Sequence, residues 1–149
     1  MNPLLLKRLL LLFWAVWLTV VFATNLADGL KALGLLSEGW AFASGNFQLI
    51  TETTARYGTP AAVNGVLFAG VIGWEAVAAG LFWRAGASYR GRVTSRSAVY
   101  AAFTVSLLLW AGFLLADELF IAYAAAGTHL RLFVAHLVTL VAVELLPEE

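Results

Sequence analysis

"PAAVNGVLFAGVIGWEAVAAGLFW", residues 60–83, decides the fold: a long apolar run broken by a single ionisable side chain, Glu75. Crossing the hydrocarbon core of a bilayer takes about 20 apolar residues, and this stretch is long enough. Three further stretches follow the same reading, at 9–27, 98–122 and 130–146. The third apolar run continues to Ala126, long enough to tilt or to project beyond the lipid.

The composition agrees. The 149 residues are 62% hydrophobic and only 12% charged, with a mean hydropathy of +0.86. Soluble domains average about 45–50% apolar and about 25% charged, and a chain this short cannot hide the excess in one core. The sequence therefore predicts one all-α domain, a bundle of four transmembrane helices. A net charge of zero gives no footprint for nucleic acid, so the expected surroundings are lipid and other membrane proteins. With no cysteine, disulfides and thiolate metal sites are excluded.

Orientation follows from basic residues near the spans. Lys7, Arg8, Arg84, Arg90, Arg92 and Arg96 fall on one side; Lys31, Arg56 and Arg131 fall on the other. This asymmetry places both termini and the arginine connector in the cytoplasm of a bacterial inner membrane. A cleaved signal ending after Ala23 is the alternative for the first span, but the run is long for a signal and a retained helix is expected. Residues 28–59 form the one sizeable connector, and Trp40, Phe42, Phe47 and Tyr57 suit a lid in the outer interface. A short helix near "FQLITETTARYG", stopped by Gly58, Thr59 and Pro60, is expected there.

Gly65, Ala69, Gly73 and Gly80 mark a small-residue seam, the kind that lets membrane helices approach closely. At 100° per residue, Glu75 lies about 200° around the helix from Gly73, whereas Asn64 lies within about 20° of Glu75. The helix thus has one small face and one polar face. Counted from Pro60 at 1.5 Å per residue, Glu75 is about 22 Å along the span, nearer the cytoplasmic side. An ionised carboxylate in the bilayer costs a few kcal/mol on insertion scales. It must turn inward and find donors, or hold a proton. Ser106, at similar depth on the third span, is the expected partner. Glu75, Asn64 and Ser106 together are the candidate proton site.

A second polar cluster is expected at the outer boundary: Asn25, Asp28, Asp117, Glu118 and Arg131. The turn between the last two spans is short, so Arg131 is expected to clamp Asp117 or Glu118. His129 and His136 share a face within about 20° but stand about 10.5 Å apart along the axis, which makes them weak metal candidates. No cofactor is required by the sequence, and no nucleophile, base and acid arrangement is present.

"NLAD" (Asn25, Asp28), "WEAVAAGL" (Trp74, Glu75), "ELF" (Glu118, Phe120) and "RLF" (Arg131, Phe133) occur in order along most of the chain. With these motifs the chain resembles the bacterial predicted small integral membrane protein family, a four-helix group with no assigned activity. The family's FNN-x-x-DY pattern is only partly present, since Phe22 is displaced and Gly29 stands where the tyrosine belongs. The resemblance implies the topology and draws attention to Glu75 and the outer cluster. The sequence-based expectation is a non-enzymatic accessory subunit that packs in a larger membrane complex or with itself. The alternatives are a proton- or ion-conducting oligomer using Glu75, and a metal- or redox-cofactor-binding membrane protein.

Overall fold

A computed structural model describes residues 2–147. Five helices follow in order: α1 (Pro3–Ala32), α2 (Asn46–Thr54), α3 (Ala61–Ala87), α4 (Arg92–Phe120) and α5 (Tyr123–Leu145), with a 3-10 turn, Ala55–Tyr57, after α2. There is no strand among the described residues. All but α2 are long and apolar enough to cross a membrane, and the protein is a multi-pass helical bundle.

The ends of these helices are set by local chemistry that hydropathy does not report. At the start of α1 the Asn2 side chain accepts a hydrogen bond from Leu4 N at 2.9 Å and Pro3 opens the helix. Asn is a favoured cap, and Pro at the first position loses no bond. Gly34, at φ +69°, closes the far end of α1 while Leu35 N donates to Leu30 O at 2.9 Å. The third span ends earlier than expected, at Phe120. Ile121 takes the left-handed conformation (φ 56°, ψ 43°), and Ala122 N donates to Asp117 O at 2.7 Å. The chain reverses there, so α5 begins at Tyr123 instead of near residue 130. The expected lid helix is α2, which packs on both α1 and α3.

α1 and α3 form the most extensive helix pair, α4 packs on both α3 and α5, and α5 touches α1 to complete the ring. The α1–α3 register is antiparallel. A Cβ on Gly86 would lie 2.8 Å from Leu12 Cδ2, Trp83 Nε1 donates to Thr19 Oγ1 at 3.0 Å, and Gly29 lies against Ile72 and Phe68. The core of this bundle contains Leu11, Trp14, Leu18, Phe82, Phe103 and Trp110.

The seam of Gly65, Ala69, Gly73 and Gly80 makes no contact of this kind. Ala69, Gly73 and Gly80 are exposed, and no packing atom lies within 4 Å of a Cβ built on Gly65, Gly73 or Gly80. The reason is angular. Asn64 and Glu75 must turn inward, which points the face about 200° away from Glu75 outward. α3 packs inward through Ala78, Ala79, Phe82, Ala85 and Gly86 instead. All of these but Phe82 are also small and recur at helical spacing, so the signal was present in the sequence on the other face.

Candidate functional site

Glu75 is 2% exposed, and its partner is Asn25, itself 1% exposed. Asn25 Nδ2 donates to both carboxyl oxygens, at 2.7 and 2.9 Å. The other end of the same amide, Oδ1, accepts from Asn46 Nδ2 at 2.8 Å. These two contacts fix the amide's orientation, because only one end of it can donate. A chain of side chains therefore runs from the mid-helix carboxylate on α3, across α1, to the first residue of the lid helix.

Asp28, one helical turn beyond Asn25, fastens the lid itself. Its Oδ2 accepts from Phe47 N at 2.8 Å and from Ser44 Oγ at 3.1 Å. Gly45 opens α2 in the left-handed conformation without a side-chain cap of its own. The carboxylate of Asp28 supplies an acceptor for an amide of the first turn, one of the groups a helix leaves unpaired. Farther along α2, Thr54 Oγ1 donates to Asn64 Oδ1 at 2.9 Å, and Tyr57 Oη donates to Leu119 O at 2.7 Å. The lid is thus tied to α1, α3 and α4 by polar contacts. A cavity of about 520 Å³ opens beside Asp28, between Lys31, Glu38, Trp40 and Gln48.

The expected proton site is divided. Glu75 bonds Asn25, Asn64 bonds Thr54, and Ser106 Oγ, fully buried, has no partner. Helix length measured from Pro60 gave Ser106 the right depth but not the right neighbour. The pairing of α1 with α3 brings Asn25 to Glu75 instead, so this mid-helix carboxylate is joined to the network that leads to the lid.

The outer cluster divides as well. Asn25 and Asp28 join the lid network. Asp117 is clamped by His129, with Nδ1 and Oδ2 2.6 Å apart. Arg131 does not make the expected clamp. Its Nε donates to Gly127 O on its own helix at 2.8 Å, and Glu118 is exposed. The early start of α5 explains the exchange, since it shifts every α5 residue relative to the turn. His129 also stacks on Phe113 at 4.7 Å.

The two histidines do not converge. His136 lies in the core, its ring 3.6 Å from that of Trp14, and its Nδ1 is 2.9 Å from Leu132 O. Among the described residues no group of three or more His, Asp or Glu is placed to hold a metal ion.

Comparison with family models, with curated proteins and with solved structures finds no match to this chain. The motifs "NLAD" and "WEAVAAGL" both contribute to the site. Three of their residues, Asn25, Asp28 and Glu75, meet in one lid-end network. Asn46 and Ser44 complete it. Sequence reading passed over both, as polar residues of an ordinary-looking loop with no spacing to link them to α1.

Proposed function

We propose that the protein is a non-enzymatic subunit of the bacterial inner membrane that packs against another transmembrane helix, in a homo-oligomer or a larger complex. The observation that carries this reading is the outward seam of α3. Gly65, Gly73 and Gly80 leave backbone uncovered on the bilayer side, between exposed Val66, Leu67 and Val77. Lipid chains gain nothing special from such a strip, whereas a second helix can approach it closely and gain packing contacts. The buried carboxylate supports the same reading, because Glu75 is engaged in holding α3 to α1 and the lid. Both termini are assigned to the cytoplasm, on the basic residues gathered at that end.

The test is a Gly73→Leu and Gly80→Leu double variant in native membranes, extracted gently. Open space at both positions lets the chain fold as before, and its partner or second copy should be lost on native mass spectrometry. A parent chain that always emerges alone and monomeric would refute the reading.

A second reading is favoured by a different observation, the chain of side chains from the lid-end cavity to Glu75. In it, Glu75 carries protons or binds a cation entering beside Asp28 and Asn46. Glu75→Gln in proteoliposomes should then abolish flux while the fold survives; unchanged flux removes Glu75 from any transport.

A further inference from the structure

Among the described residues, three buried side-chain polar atoms make no hydrogen bond to the protein: Ser106 Oγ, Trp110 Nε1 and His136 Nε2. Their residues are 0%, 3% and 0% exposed. Buried polar groups are nearly always paired. Three unpaired ones in a single region call for a common explanation.

They do share a region. Phe103, Ser106 and Trp110 are all buried and follow at the i, i+3, i+7 spacing that lines one face of a helix. The His136 ring lies 5.9 Å from Trp110 and 6.4 Å from Phe103, opposite the stretch of α4 that holds Ser106. Their hydrogen-bonding capacities are complementary. His136 Nδ1 faces Leu132 O, a pure acceptor, so a neutral ring carries its proton there and Nε2 offers a lone pair. Trp110 Nε1 can only donate, and the Ser106 hydroxyl can do either. The other polar groups nearby are already engaged: Trp14 Nε1 donates to Thr139 Oγ1 at 3.1 Å, and that hydroxyl donates to Ala135 O at 2.7 Å.

We propose that Ser106, Trp110 and His136 form an internal binding site for a small neutral molecule that both donates and accepts hydrogen bonds, namely a water molecule. It donates to His136 Nε2, accepts from Trp110 Nε1, and exchanges either kind of bond with Ser106. A cation does not suit the site, since the indole N–H can only donate, and among the described residues no group of three or more His, Asp or Glu is placed to hold a metal ion. A water needs two to four polar partners, and these three supply them within walls made by Trp14, Phe82 and Phe103. The water joins α4 to α5 at a level where the protein makes no direct bond between these three groups. The site does not depend on the outward seam of α3, so its fate and that of the subunit reading are separable.

The experiment is solid-state NMR on the full chain in lipid nanodiscs with ¹⁵N-labelled histidine, recording magnetisation transfer from water to His136 Nε2. With only two histidines in the chain, a His129→Gln variant assigns the signals. The parent should show the transfer. Ser106→Ala and Trp110→Phe should each weaken it severalfold and move the Nε2 resonance toward that of a free lone pair. Trp110→Phe deletes the N–H and keeps an aromatic ring, so it serves if Ser106→Ala does not fold. No transfer in the parent overturns the proposal. So does transfer unchanged in both variants, or a direct bond from His136 Nε2 to Ser106 or Trp110.

Discussion

Replacing Asn25 with alanine tests the lid network at its centre. The substitution removes the amide that touches Glu75 at 2.7 and 2.9 Å and accepts from Asn46 at 2.8 Å. Interhelical side-chain hydrogen bonds in membranes contribute about 0.6 kcal/mol on average and up to about 1.7. Glu75 and Asn25 are almost wholly buried, which places this pair toward the upper end, and an orphaned acceptor adds its own penalty. Together these give a loss of about 2–3 kcal/mol. Glu75→Gln should lose only about 1 kcal/mol, because the new amide keeps one oxygen for Asn25 Nδ2. The double variant should then resemble Asn25→Ala alone, with a coupling of at least about 1 kcal/mol, as expected for groups in direct contact. Reversible unfolding in mixed micelles measures all four proteins, and the chain's six tryptophans report it. Amide exchange should also quicken across α2 in Asn25→Ala. Losses that simply add, with coupling under about 0.3 kcal/mol, would refute the network.

Asp28→Ala should loosen α2 without disturbing the core, at about 1 kcal/mol as for other lost helix caps; hydrogen exchange should rise at Phe47 and its neighbours and stay unchanged on α4. Gly86→Ala should destabilise the chain by about 1–3 kcal/mol, as overpacking does, because its Cβ would lie 2.8 Å from Leu12 Cδ2 and 3.2 Å from Leu12 N. Gly73→Ala, with open space around it, should raise the melting temperature of the isolated chain through better helix propensity. Asp117→Asn should lower stability by about 1–2 kcal/mol by weakening its contact to His129, whereas Arg131→Ala should be nearly neutral in the same unfolding assay.

The four long helices were legible because lipid imposes a length and a composition that few other environments share. The inward turn of Glu75 was legible for the same reason. Its partner was not, since Asn25 is 50 residues away in sequence, and only the register of α1 on α3 brings the two together. Depth along a helix pointed to Ser106 and left Asn25 in the outer cluster; the observed contact is with Asn25. Arg131 was misassigned through a different cause. A left-handed isoleucine ended α4 inside a stretch whose apolar residues continue to Ala126, and hydropathy is blind to a backbone angle. Small residues showed that α3 had a close-packing face without showing which of its two faces met α1.

The contact between Asn25 and Glu75 also bears on how the chain enters a membrane. Ribosomes make α1 first, so its amide is in place before α3 emerges from the insertion machinery. The carboxylate arriving later finds a docking point already waiting, and insertion of a helix with a costly acid at its middle is helped by a hairpin partner. A chain whose α1 lacked that amide would present the acid to bare lipid at the moment of its entry, and slower or failed integration of α3 would follow.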